Sequence, residues 1–158
     1  MENQWSLCCY SDSDWAGDKS DRKSVSGWVI KLNGAVVCWG SRKQTLTSVS
    51  STEAEYVAIS EMCKEILFIK SVIEFIEKMT INLPILIFCD NEGAIYLSNN
   101  HESRRTKHID TKIHFIRDYV ENGTVVIKFI ASEDNLADPF TKNVNQKIMA
   151  KNFEYITS

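Results

Sequence analysis

The residues equipped for chemistry are carboxylates standing where apolar runs stop. Asp12 follows the run from Trp5 to Tyr10, Asp90 follows the run from Pro84 to Cys89, and Glu55 lies one turn into a stretch free of Gly and Pro that opens at Ser50. In an open α/β sheet, ligands bind in the crevice at the carboxyl ends of adjacent strands, so two strand-terminal acids can meet there and a helix acid can lean onto that edge. A fourth acid comes from the last segment, where Asp134 and Asp138 compete. Like charges so placed raise one another's pKa and become tolerable when a cation neutralises them. An all-oxygen ligand set favours Mg²⁺, or Mn²⁺, over zinc. Two such ions ~3.5–4 Å apart can activate water on one side of a phosphodiester and stabilise the leaving oxygen on the other. A single Asp after a strand is more commonly a turn or cap residue. It is the joint placement that points to catalysis.

The elements that must position these acids are readable from hydrophobic period and turn signals. Asn33-Gly34, flanked by Gly27 to Leu32 and Ala35 to Trp39, is a hairpin signal, because a type I′ turn needs two residues tolerant of positive φ. Three antiparallel strands follow from it. Ser50 and Glu53 have capping-box spacing at the head of a helix, or two nearly collinear helices, reaching Met79. Ala54, Val57, Ala58, Met62, Ile66, Ile69, Ile73 and Ile76 recur along one face of it. Pro84 to Cys89 reads as a strand buried on both faces. Helical patterns follow from Glu92 to Ser98 and from Ile109 to Glu121, the latter closed by Asn122-Gly123, and Thr124 to Ile130 makes a fifth strand. The polar tail from Asp134 is expected to be helical after Pro139. The order predicts an α/β domain whose sheet mixes an antiparallel meander with parallel strands reached by helical crossovers.

Composition narrows the classes. A chain of 158 residues with 44% hydrophobic and 25% charged residues, 6 Gly and 2 Pro is about one domain's worth and excludes collagen-like, low-complexity and largely disordered readings. No apolar stretch approaches the ~20 residues of a bilayer span, and Met1-Glu2-Asn3-Gln4 does not open a secretory signal. A non-membrane, intracellular protein is expected. The five cysteines show no zinc spacing and read as small buried hydrophobes. Asn122-Gly123-Thr124 reads as a turn rather than a glycosylation site. Trp15, Trp28 and Trp39 read as core or strand packing rather than base-stacking platforms. The formal net charge of −3 argues against a generic nucleic-acid coat, yet Arg22-Lys23, Arg42-Lys43 and Arg104-Arg105-Thr106-Lys107 are local basic clusters.

At these residues the chain resembles the type I RNase H domain of copia-type LTR retrotransposon Pol polyproteins. The matching stretches are Tyr10 to Asp18, Asp21 to Gly27, Ser50-Ser51-Thr52-Glu53-Ala54-Glu55-Tyr56, Cys89-Asp90-Asn91, Thr106 to Asp110, and Ala137-Asp138-Pro139-Phe140-Thr141-Lys142. The resemblance implies a single RNase H-like domain over 1–158, with its core at about 5–145 and a C-terminal tail at 146–158. It implies five strands, three antiparallel and two parallel, flanked by helices. It further implies two Mg²⁺ ions and endonucleolytic cleavage of the RNA strand of RNA/DNA hybrids, leaving 5′-phosphate and 3′-hydroxyl ends. A reverse transcriptase domain is expected upstream in the same polyprotein. Carried over by position, the catalytic and metal-binding acids are Asp12, Glu55, Asp90 and, in preference to Asp134, Asp138. Ser50, Ser51, Thr52 and Asn91 border them and can read 2′-hydroxyls, although helix capping is an equal reading for Ser50. Arg104, Arg105 and Lys107 can contact phosphates.

Two departures stand out: no His lies between Phe129 and Asp138, a place where many cellular relatives carry one, and His108 and His114 do not inherit that role. Glu74, Glu77 and Lys78 leave the segment after the long helix mixed in charge, where cellular enzymes often carry a basic handle. The alternative to an enzyme is a catalytically inactive retrotransposon-derived remnant serving as a binding or interaction module, which the four intact acids disfavour. A different nuclease of the superfamily, such as an integrase or resolvase, fits the serine-rich turn before Glu55 less well.

Overall fold

Among the residues described by a computed structural model, 4–77, 80–100 and 109–142, strand pairing outside one short two-stranded pair goes into a single mixed sheet. In chain order the elements are β1 (Gln4–Trp5), β2 (Leu7–Asp14), β3 (Val25–Leu32), β4 (Ala35–Lys43), α1 (Ser51–Glu77), β5 (Thr80–Ile81), β6 (Ile85–Cys89), α2 (Glu92–Asn99), α3 (Asp110–Glu121) and β7 (Val125–Phe129). The five-stranded sheet has the order β4-β3-β2-β6-β7, antiparallel from β4 to β2 and parallel from β2 to β7. This is the mixed five-stranded sheet expected from the sequence. Asn33 and Gly34 join β3 to β4 with φ of 48° and 88°, the left-handed pair that their types permit. Asn122 accepts hydrogen bonds through Oδ1 from Thr124 N and Oγ1, at 3.0 and 2.6 Å, so the apparent sequon is a turn into β7.

Two expectations shift. The first long strand does not stop at Tyr10, because β3 extends the ladder through Asp12↔Gly27 and Ser13↔Ser26 to Asp14↔Val25, whereas pairing with β6 ends at Tyr10↔Phe88. Asp12 therefore lies within a strand, where its parallel neighbour has ended and its antiparallel neighbour continues. The polar tail shows 3₁₀ turns at Ser132–Asp134 and Asp138–Phe140, and the helix expected after Pro139 otherwise falls outside the described residues. A two-residue parallel pairing of β1 with β5 was too short to carry a sequence signal.

Helix α1 is continuous over 27 residues and starts as its cap predicts. Ser50 Oγ accepts from Glu53 N at 3.2 Å, and Glu53 Oε2 accepts from Val49 N at 2.8 Å, one residue earlier than the usual reciprocal contact. Its first half buries Ala54, Tyr56, Val57, Ala58, Ile59, Met62, Cys63 and Ile66 between the sheet strands β2 and β3 and the helices α2 and α3. Beyond Ile66 no described helix residue is fully buried, and Ile76, expected on the packed face, is exposed beside Phe75. The cause is length: 27 residues of helix reach about 40 Å, against roughly 27 Å for an eight-residue strand.

The tryptophans divide. Trp28 is buried, with the Arg42 guanidinium 5.4 Å from its ring, but Trp15 and Trp39 are 47% and 62% exposed and do not belong to the core. Trp39 projects from the edge strand β4, and Trp15 follows β2 in a turn, its Nε1–H donating to Ser48 O at 3.1 Å. Cys9, Cys63 and Cys89 are buried as expected, and Cys8 and Cys38 are half-buried. Among the described residues no helix is long and apolar enough to cross a membrane. Ile66 is wholly enclosed at the α1–sheet interface, so Ile66→Ala is expected to lower unfolding free energy by about 2–5 kcal/mol in a denaturant titration.

Candidate acidic site at the end of the parallel strands

Each acid reaches the site from a different element. Continuing the β2–β6 register by two residues sets Asp12 level with Asp90, just past Cys89. Alternation along β2 then sends Ser13 toward α1 and Asp12 toward the C-terminal segment. Ser13 holds Glu55: its backbone N–H and its Oγ–H both donate to Glu55 Oε1, each at 2.8 Å. On the other side Thr141 Oγ–H donates to Asp12 Oδ2.

That second contact exists because residue 27, the cross-strand partner of Asp12, has no side chain. A Cβ there would lie 2.6 Å from Thr141 Cγ2 and 3.0 Å from Ala137 O. Asn135, itself buried, fastens the same segment by donating Nδ2–H to Ser11 O at 2.9 Å. Asp138 is thereby delivered beside Asp12, carrying an ion pair with Lys142 one turn on. Asp134 instead sits exposed in the preceding 3₁₀ turn. Asp90 accepts from Ser132 Oγ at 2.6 Å.

The electrostatics are those of a crowded anionic cluster. Burial pushes the Asp12 carboxyl up to about 6. The charges of Asp90 and Asp138 add to this, while the Thr141 hydrogen bond and the Lys142 charge oppose it. Burial pushes Glu55 up to about 8, reinforced by Asp12 and Asp90 and opposed by Ser13. An oxygen of Glu55, one of Asp90 and Cys89 Sγ lie within 4.8 Å of one another. Burial and the Glu55 charge hold the Cys89 thiol far above its ordinary range, so it stays protonated, its S–H directed at Glu55 Oε2 3.9 Å away. The available donors are therefore carboxylate oxygens. Two buried acids with raised pKa, beside two more, suit a hard divalent cation.

The residues expected to meet substrate fare differently. Ser50 is the cap of α1. Ser51 is exposed at the first position of that helix, and Thr52 Oγ–H donates to Asn91 Oδ1 at 3.3 Å. Asn91 Oδ1 also accepts from Ala94 N at 2.9 Å, capping α2, and Gly93 makes room for both contacts, since a Cβ there would come within 2.6 Å of Thr52 Oγ1. Arg104, Arg105, Lys107 and His108 lie outside the described residues. His114 is exposed on α3. The holders Ser13, Ser132, Asn135 and Thr141 were not singled out from sequence. Ser13, inside the Tyr10 to Asp18 stretch, and Thr141, inside the Asp138-Pro139-Phe140-Thr141-Lys142 stretch, lay in matching motifs but were given no role of their own.

A carboxyl whose pKa is higher folded than unfolded stabilises the fold while protonated. That stabilisation is complete below the ordinary values of 3.8 and 4.5, and is lost as pH rises through about 6 for Asp12 and about 8 for Glu55. The metal-free chain is expected to melt at higher temperature near about pH 5 than near about pH 8.5, and millimolar Mg²⁺ is expected to raise the midpoint more at the higher pH. Thermal scans of wild type and Glu55→Gln check this, the variant showing the flatter pH profile.

Comparison with known proteins agrees with this architecture. A family model described as reverse transcriptase-like matches residues 12–140. The chain is 39% identical over 145 residues to the retrovirus-related Pol polyprotein from transposon RE1 of Arabidopsis thaliana, covering 91% of this chain and 10% of that protein. It is 36% identical over 137 residues to the Pol polyprotein from transposon TNT 1-94 of Nicotiana tabacum, covering 85% and 10%. The chain thus spans about a tenth of the length of these curated relatives. Among solved structures, LC11-RNase H1 in complex with RNA/DNA hybrid superposes with a TM-score of 0.61 at 16% identity, over 91% of this chain and 99% of that one, which establishes a shared fold. With its acids gathered at the end of that fold's parallel strands, the chain belongs to the reverse transcriptase-like family, as an RNase H-fold member of the kind carried by copia-type retrotransposon Pol polyproteins.

Proposed function

We propose that this chain is a ribonuclease H that cuts the RNA strand of RNA/DNA hybrids endonucleolytically and acts inside the cell as part of a Pol polyprotein, alongside a reverse transcriptase domain. One observation carries the reading: four acids far apart in sequence act on common members of one cluster, the charges of Asp90 and Asp138 adding to burial at Asp12 and those of Asp12 and Asp90 adding to burial at Glu55. In this reading they hold two Mg²⁺ ions, or Mn²⁺. When bound, such a pair supplies an activated water and neutralises charge on the leaving oxygen. Everything else falls to the chain itself.

Ser13 fixes the Glu55 carboxylate by two hydrogen bonds, so that acid does not reorient during turnover. Thr141 and Ser132 do the same for Asp12 and Asp90. Lys142, held above the usual lysine range mainly by its ion pair with Asp138, stays cationic beside the cluster. Ser51 at the exposed head of α1, with Thr52 and Asn91 on the adjoining edge, offers hydroxyl and amide groups to 2′-hydroxyls. Arg104, Arg105 and Lys107 supply positive charge for the phosphate backbone.

Incubation of the chain with labelled RNA/DNA hybrid and Mg²⁺, beside single-stranded RNA and duplex DNA, tests the proposal. Cleavage confined to the RNA of the hybrid is expected. Asp12→Asn and Asp90→Asn are each expected to lose about 3 kcal/mol or more of transition-state stabilisation, read from kcat/KM. Equal cutting of all substrates, or near-normal turnover in either variant, would remove the assignment. Hybrid binding without any cleavage would favour the inactive remnant.

A further inference from the structure

Gln44, the residue after β4, is 1% exposed, and its side-chain amide is the hub of a buried polar network. Its Nε2 donates to Ala54 O at 2.8 Å and to Ser26 Oγ at 3.0 Å. Its Oε1 accepts from Ser48 Oγ at 3.1 Å, which orients the amide. Its backbone N–H donates to Ser24 O at 2.8 Å. Ala54 immediately precedes Glu55, and Ser26 is the cross-strand partner of Ser13, the residue whose N–H and hydroxyl grip the Glu55 carboxylate. The path from Glu55 through Ser13, Ser26, Gln44 and Ala54 back to Glu55 is therefore a closed ring. In it one amide ties the helix turn that carries the acid to the strand pair that holds it.

We infer that Gln44 is a positioning residue, setting how far Glu55 stands from Asp12 and Asp90 and so how well the cluster binds divalent cations and supports turnover. Core packing alone does not need this side chain: an apolar residue of the same length would fill its volume. What an apolar side chain lacks is the pair of donors that couple α1 to β3. Without the amide, Ala54 O keeps only its helical partner and Ser26 Oγ loses its donor, so the polar tie that fixes the first turn of α1 against β3 is gone, and a shift below 1 Å is enough to loosen a ligand set.

The activity arm of this inference rests on the ribonuclease reading, whereas metal binding tests it independently. Gln44→Met, near in length and without donors, is compared with wild type and with Ile66→Ala, which destabilises the core away from the ring. Calorimetric titration with Mg²⁺ alone is expected to show affinity weakened roughly tenfold in Gln44→Met, the scale for loss of an outer-shell partner, and unchanged in Ile66→Ala. On RNA/DNA hybrid, kcat is expected to fall about 10- to 100-fold with KM for the hybrid unchanged, and to recover partly at high Mg²⁺. Should Gln44→Met not fold, Ser26→Ala removes one acceptor from the amide, with a smaller loss expected in the same two readouts. Wild-type Mg²⁺ affinity and kcat in whichever variant folds, or equal losses in Ile66→Ala, would overturn the positioning role. Weakened Mg²⁺ binding in a chain that never cuts hybrid would sustain it while removing the ribonuclease reading.

Discussion

Repulsion among carboxylates gathered at one end of a sheet is the constraint around which this molecule is arranged. Two of them, Asp12 and Glu55, are nearly inaccessible to water, and each suffers the charge of its neighbours. No core-packing argument would place them there, since burying such groups without a counter-charge opposes folding. The fold tolerates them because they stand where the ladder changes character, with β6 ended and β3 continuing. There, hydroxyls can be supplied from a strand, a loop and a 3₁₀ turn without interrupting the hydrophobic layer.

The holders share a chemistry. Ser13, Ser132 and Thr141 each present an O–H to a carboxylate, a neutral donor that orients an anion without cancelling its charge. A lysine or arginine in those places would neutralise the cluster and compete with a metal. Among the described residues the ammonium acting on the cluster, Lys142, is paired with the partly exposed Asp138 rather than with the two buried acids. The site is thus rigid in geometry while it keeps its appetite for cations.

Much of this was legible in the residues and some was not, for reasons of length and symmetry. Asp12 and Asp90 could be found because each interrupts an apolar run, and Glu55 because a cap at Ser50 sets the phase of its helix. Asp138 could be preferred over Asp134 only through the residues after it, and its approach depends on Gly27, more than a hundred positions away. Ser13, Asn135 and Gln44 escaped notice because a lone hydroxyl or amide looks alike in a turn, a cap or a network, and only three-dimensional proximity tells them apart. Trp15 and Trp39 were read as core or strand packing because an indole is apolar by composition, and of those two places they take the second kind, a turn and an edge strand that leave much of the ring outside. The tail of α1 kept its periodicity after the sheet beneath it had run out.

The segment bearing Asp138 is attached by a few side-chain contacts and an empty notch at Gly27, not by a ladder of main-chain pairs. Structural integrity and completeness of the acidic set are therefore separable in this architecture. Drift in that short stretch can take Asp138 out of the acidic set while the sheet and its hydrophobic layer stay as they are, so a three-acid and a four-acid chain would be hard to tell apart by stability alone.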